Sequence, residues 1–257
     1  MWLGEMPAQI FLMMVNIVNC KKMKKIIFKT PHALASAFAE QLVNLASDKE
    51  VIHVALSGGS TPKLLFEILA STYKNNDWSQ LRFYWGDERC VSPDNSESNY
   101  LMAKKLFFDP ANIASEHIFR VLGENDPKQE AERYGYLLYK SLPIVNELPC
   151  FDLVYLGMGE DGHTASIFPH EMELMTHQEV CAVATHPISG QKRITLTGPV
   201  INNARSIVFL ITGKSKYPRI KSILKDQHDF ESFPAAHIQP THGHLTWYLD
   251  KAAYEGA

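Results

Sequence analysis

The sequence predicts an α/β protein whose mostly parallel, Rossmann-like sheet carries helices on both faces. Two observations lead there. From Lys25 onward, short and nearly continuous apolar strands alternate with stretches of helical periodicity, and alternating βα units of that kind enclose a parallel sheet between helices. The chain is also long enough, at 257 residues with 46% hydrophobic and 21% charged side chains, to bury a substantial core.

The elements follow in order. "KIIFK" reads as a strand, and "PHALASAFAEQLVNLAS" as a helix with Pro31 in its first turn. "VIHVALS" is a strand, "TPKLLFEILAS" a helix, and "LRFYWGDE" a strand running into a polar loop. "NYLMAKKLFF" and "KQEAERYGYLLYKSL" have helical spacing. Then come the strands "FDLVYLG", "VCAVAT" and "RITLT", a short helix near "PVINNA", and the strand "SIVFLIT". "SKYPRIKSILKD" is helical, with Pro218 placed in its first turn or at a kink. The strand "LTWYLD" closes the series.

Charge and cysteine usage exclude several functions. A net charge of −3 provides no broad basic field, so neither nucleic acid nor an anionic membrane is an expected partner. The four cysteines are scattered without a CxxC pair, which suits reduced thiols in a cytoplasmic protein. "IFLMMVNIV", residues 10–18, is far too short to span a bilayer. It also lacks a preceding positive region: Glu5 lies before it and "KKMKK" after it, the reverse of a secretory signal. Residues 1–22 are therefore expected to be a flexible extension, with translation from Met23 as an option, and 23–257 a single domain.

Ligands of open α/β sheets bind beyond the carboxyl ends of the strands, and four polar clusters fall there. In "SGGSTP", Gly58 and Gly59 permit a sharp turn, and Ser60 or Thr61 can cap the helix that Pro62 opens. The N–H groups of that helix start suit an anion, although a capped turn without a ligand reads equally well. In "WGDERCVSPDNSESN", Asp87, Glu88 and Arg89 follow an aromatic strand and are either solvated loop charges or part of the same site. "GMGEDGHTASIFP" frames His163 and Asp161 with Gly157, Gly159 and Gly162, and "GHTASIF" is expected to start a helix near Thr164. His163 beside two carboxylates favours acid–base catalysis over a structural histidine. Arg193 in "RITLTG" and Lys216 in "TGKSK" add cations, with Lys214 as the competing lysine expected to face solvent. A lysine near a helix start opposes the dipole unless an anion sits with it.

Three further features narrow the chemistry. There is no GxSxG elbow, which argues against a seryl acyl-enzyme despite Ser60 and Ser166. There is no HExxH, and "THGH", residues 241–244, lacks nearby cysteines or well-spaced acids, so a loop is expected there rather than a metal site. No metal and no cofactor are expected.

Together "LSGGSTP", "WGDER" with "SNY" downstream, "GMGEDGHTASIFP", "RITLTG", "TGKSK" and "HLTWYLDKAA" resemble the 6-phosphogluconolactonase family, relatives of glucosamine-6-phosphate deaminase. The resemblance spans roughly residues 25–253 and leaves 1–22 without a counterpart. It implies a deaminase-like fold and hydrolysis of 6-phospho-D-glucono-1,5-lactone to 6-phospho-D-gluconate in the oxidative pentose phosphate pathway; that sugar-phosphate lactone is the expected partner, and a monomer is expected. Gly58, Gly59, Ser60 and Thr61, with Arg193 and Lys216, would hold the phosphate, and Asp87 would join the substrate site. His163 would activate water, Asp161 would orient His163 or favour its protonated form, and Arg89 or main-chain N–H groups would stabilise the oxyanion. Two alternatives are the deaminase/isomerase reaction and a non-catalytic sugar-phosphate sensor. For the deaminase branch Asp-Glu-Tyr is expected where this chain has Asp87-Glu88-Arg89, and an Asn-Glu-Pro ending in place of "SIFP". A sensor would keep the phosphate loop without needing His163.

Overall fold

The computed structural model describes residues 23–48, 50–225 and 229–256. The expected extension over 1–22 lies outside the described residues. The strands β1 (Lys24–Phe28), β2 (Ile52–Leu56), β3 (Leu81–Trp85), β7 (Leu153–Leu156), β10 (Ser206–Ile211) and β11 (His244–Asp250) form one six-stranded sheet in the order β1-β11-β10-β7-β2-β3. Every neighbouring pair in it is parallel. All four residues of β7 are buried, and successive strand side chains point to opposite faces, so both faces of the sheet centre are covered. The cover includes the helices α1 (Pro31–Ala46) and α2 (Ser60–Thr72), which connect β1 to β2 and β2 to β3.

The chain runs outward from β2 to β3 in one direction and from β7 through β10 to β11 in the other. The order therefore reverses between β2 and β7, where an open α/β sheet forms a crevice at its carboxyl edge. The loops after β2, β7 and β10 meet there.

Several sequence readings change. Asp87–Arg89, read as the start of a loop, is a strand, β4, separated from β3 by Gly86. It pairs antiparallel with β9 (Lys192–Leu196), which in turn pairs with β8 (Cys181–Thr185), making a three-stranded sheet beside the main one. "VCAVAT" and "RITLT" are strands as read, but of this second sheet. The register sets Arg89 opposite Arg193 and Asp87 opposite Thr195, so two polar clusters far apart in sequence become cross-strand neighbours.

"GHTASIF" does not start a helix. Gly162 and Ala165 adopt positive φ values of 87° and 48°, which a right-handed helix cannot continue through. Thr164 and Ile167 close a tight turn, and a 3₁₀ segment, Pro169–Met175, follows only afterwards. Nor do the hydroxyls of Ser60 and Thr61 cap α2: its cap is Gly59, at φ 105°, with no side-chain cap bond. "NYLMAKKLFF" divides into α3 (Asn99–Ala103) and a π turn, Lys104–Phe108. α4 (Pro127–Ser141) begins at the Asp126 cap, whose carboxylate accepts from the Lys128 and Gln129 N–H groups. A small hairpin, β5 (Ile144–Val145) and β6 (Leu148–Pro149), links α4 to β7.

α4 also steadies the site from behind. The buried Tyr134 hydroxyl accepts from the Trp85 N–H at 2.8 Å and donates to the Trp85 carbonyl at 3.1 Å, fixing the end of β3 where the chain turns into β4. The short helix α5 (Gly198–Asn202) follows β9, α6 (Tyr217–Leu224) follows β10 with Pro218 in its first turn, and α7 (Lys251–Glu255) follows β11. Among the described residues, Cys90, Cys150 and Cys181 are free thiols, and no helix is long and apolar enough to cross a membrane. The "THGH" segment is loop up to Gly243, with His244 opening β11.

Candidate active site

The carboxyl edge holds a cleft of about 240 Å³, at the small end of ligand sites. It is lined by Gly58, Gly59, Ser60 and Thr61 from the turn after β2, and by Asp87 and Arg89 of β4. Gly157, Gly159, His163 and Ala165 after β7, Arg193 of β9, and Thr212 and Lys216 after β10 complete most of the wall. Of the residues given a catalytic or substrate-binding role from sequence, only Asp161 stands outside the lining, bonded to His163; Glu88, Gly162, Thr164 and Ser166 do not line it either. Lys214 is exposed, and Lys216 is the lysine that reaches the cleft.

One half of the cleft is suited to an anion. The first N–H groups of a helix have no partner within it, and at α2 no side chain takes them up. Those groups and the positive end of the α2 dipole therefore face whatever occupies the turn. The Thr61 hydroxyl is bonded to that of Thr212 at 2.8 Å, which ties the glycine turn to the end of β10. Gly58 is required by a close approach: a Cβ there would collide with the Asn99 side chain. Lys216 is half-buried, and that burial pushes its ammonium pKa down, with Glu160 and Asp161 partly restoring it.

The other half carries the histidine. The Thr164 hydroxyl donates to the Gly157 carbonyl at 2.9 Å, and the Gly159 N–H to the His163 carbonyl at 2.9 Å, so the turn closes without using the imidazole. The imidazole packs on the buried Phe168 ring at 4.8 Å. Its Nδ1 lies 2.6 Å from Asp161 Oδ1. Burial alone would raise the Asp161 pKa, but the bond and charge of His163 overcome it and hold the carboxyl at about 2. An ionised carboxylate only accepts, so Nδ1 carries a hydrogen, and in the neutral imidazole Nε2 keeps its lone pair. The local arrangement is that of a general base with an orienting acid.

Between the halves lies a buried network. Ser166 donates to Asp87 Oδ2 at 2.6 Å and accepts from Arg193 Nη1 at 3.4 Å, and Arg193 Nη1 lies 4.0 Å from the same Asp87 oxygen. Asp87 is thus engaged with protein groups as well as lining the cleft. Arg193 also stacks over Phe168 at 5.7 Å. Arg89 Nη1 donates to the Glu97 carbonyl at 2.6 Å. The Nε atoms of both arginines are buried without a protein acceptor, an arrangement that is costly unless a ligand or water completes it.

Sequence reasoning missed Asn99 and Thr212. Both line the cleft, yet each reads as an ordinary capping or loop residue until the glycine turn is seen against it. The "SNY" downstream of "WGDER" was a signal for Asn99, since Ser98 caps α3 and directs the next side chain inward. Among the described residues, no group of three or more His, Cys, Asp or Glu is arranged to hold a metal ion.

A switch-point cleft of this size, with a helix N-terminus and cations on one side and a His–Asp pair on the other, gives a Rossmann-like α/β protein a site suited to a small anion. A family model described as glucosamine-6-phosphate isomerases/6-phosphogluconolactonase matches residues 29–247. A relative from Treponema pallidum named 6-phosphogluconolactonase is 43% identical over 80% of this chain and 86% of its own. One of the same name from Haemophilus influenzae is 42% identical over 90% of this chain and 98% of its own. The solved 6-phosphogluconolactonase of Trypanosoma brucei superposes with a TM-score of 0.80 at 30% identity, covering 90% of this chain and 97% of that one. The chain belongs to the glucosamine-6-phosphate isomerase/6-phosphogluconolactonase family, and within it is an enzyme of the lactonase branch, a hydrolase.

Proposed function

We propose that this enzyme hydrolyses 6-phospho-D-glucono-1,5-lactone to 6-phospho-D-gluconate, the lactone-opening step of the oxidative pentose phosphate pathway, as a cytoplasmic monomer folded as one domain over 23–257. The observation that carries the reading is the 2.6 Å His163–Asp161 pair opening onto the same small cleft as the α2 N-terminus, Arg193 and Lys216. A phosphate at Gly58–Thr61, with Arg193 and Lys216, fixes the ring so that its carbonyl carbon faces His163. Water adds to that carbon while Nε2 takes its proton, and Asp161 stabilises the imidazolium that forms. Arg89, or an N–H of the glycine turn, stabilises the oxyanion. The carbonyl re-forms, the bond to the ring oxygen breaks, and the imidazolium returns its proton to that oxygen. The products are a free acid and a hydroxyl, with no covalent enzyme intermediate.

The deciding experiment presents freshly made lactone and glucosamine 6-phosphate separately to the purified protein. Acid release from the lactone above its spontaneous rate, without ammonia from the amino sugar, is the expected result. Ammonia release without lactone hydrolysis would transfer the protein to the deaminase reading. Binding of both without turnover would make it a sensor.

The lysine gives a pH test. A lowered Lys216 pKa means that its charge is lost at lower pH than for an exposed lysine. Inorganic phosphate, measured as a competitive inhibitor, is therefore expected to bind more weakly on the alkaline side. Lys216→Met should weaken it at neutral pH and flatten the alkaline dependence. An equally steep dependence in the Met variant would remove Lys216 from the clamp.

A further inference from the structure

Glu88 is a buried carboxylate that the mechanism above leaves unused. It is 2% exposed, and it lies between Asp87 and Arg89 on β4 with its side chain turned away from solvent. Its oxygens accept four hydrogen bonds. Oε1 takes the N–H of Arg89 at 2.7 Å and of Asn99 at 2.8 Å. Oε2 takes the N–H of Tyr100 at 2.7 Å and the Ser98 hydroxyl at 3.1 Å. Burial pushes the Glu88 carboxyl pKa up, and the main-chain donors of Tyr100, Asn99 and Arg89 pull against that.

Those four donors sit at the two ends of one segment. Arg89 opens it, and Ser98, Asn99 and Tyr100 close it, so Glu88 joins the start of the 89–98 loop to the N-terminus of α3. The Arg89 guanidinium is anchored inside the same loop, on the Glu97 carbonyl. Where its free face points into the cleft therefore depends on how the loop is closed. Asn99, also in the cleft, has a second tie through its Nδ2 to the Asp87 carbonyl at 2.9 Å, so the contact with Gly58 does not hang on Glu88 alone. A helix cap by itself would need only the Ser98 hydroxyl, which already accepts from the Leu101 N–H at 3.1 Å.

We infer that Glu88 is a positioning residue for the reaction: its carboxylate clamps the 89–98 loop shut and so sets the Arg89 guanidinium at the oxyanion position. This rests on the role given to Arg89 above. The nearly isosteric Glu88→Gln tests it, because an amide presents one oxygen and one NH₂. Whichever way it turns, at least one main-chain N–H faces a donor instead of an acceptor.

The expected result for folded E88Q is a turnover roughly tenfold or more below wild type, the scale on which misplacement of a catalytic group acts. Its inhibition by inorganic phosphate should change by no more than about twofold, because the clamp retains its own contacts. The cycle with Arg89→Ala separates positioning from mere support. If Glu88 acts through Arg89, E88Q adds nothing further to turnover in the R89A background; an undiminished, multiplicative loss would overturn the inference. Wild-type turnover in R89A would instead overturn the role of Arg89 itself. Should E88Q fail to fold, Ser98→Ala removes one of the four donors and is expected to lower turnover a few-fold in a wild-type background and not in R89A. A lowered melting temperature with wild-type turnover, in either variant, would reduce Glu88 to a structural residue.

Discussion

His163→Asn is expected to retain the fold while turnover falls by roughly 10²- to 10⁴-fold, the contribution of a positioned general base. The turn that carries the side chain is held by the Gly159 N–H on the His163 carbonyl and by Thr164 on the Gly157 carbonyl, neither of which uses the imidazole. The anion half of the cleft comes from other loops, so inhibition by inorganic phosphate should persist. Because the lactone also opens unaided, the loss has to be read after subtraction of that background. The Asp161 carboxyl provides a separate check of the pair. With its pKa held at about 2, it contributes stability that is present above its unfolded value, about 3.9, and lost as the pH falls through about 2. Without the imidazole partner the folded pKa moves back toward the unfolded one, so that contribution should shrink, and the variant should lose less stability than wild type as the pH falls from about 4 to about 2. Near-wild-type turnover in the folded variant would remove His163 as the base.

How much of this was legible in the sequence depends on the range of the interaction concerned. The βα alternation, Pro31 and Pro218 in their first turns, and the four polar clusters at one sheet edge follow from local periodicity and from where strands end. The second sheet does not. Asp87 meets Thr195 and Arg89 meets Arg193 through a pairing that spans more than a hundred residues, and a three-residue strand such as β4 has no periodicity to detect. The helix expected from "GHTASIF" failed at Ala165, whose φ of 48° is imposed by the surrounding turn; alanine's own preference is helical. Glu88 looked like a loop charge because its value lies in four donors that only the folded chain assembles. The chemistry-bearing residue types were visible. Which of them touch substrate and which hold the others was decided by long-range geometry.

Gly159→Ala is the second large effect expected, and it separates stability from catalysis. Gly159 does not occupy the positive-φ region, so alanine meets no backbone penalty there. A Cβ at this position would instead collide with His163 Nδ1 and Cε1 and with Asp161 Oδ1. These atoms are the ends of two partly exposed side chains, which can swing aside at little cost to folding. In doing so they break the bond that orients the base. Turnover is therefore expected to fall by about 10²-fold, the loss that a shift of order 1 Å can impose on a reacting group, while the melting temperature changes little. Gly162→Ala behaves differently: at φ 87° its Cβ meets Phe233, so it should lower the melting temperature as well as the rate. A stable Gly159→Ala protein with wild-type turnover would show that the His163–Asp161 contact is dispensable, and the base would then act without an orienting acid.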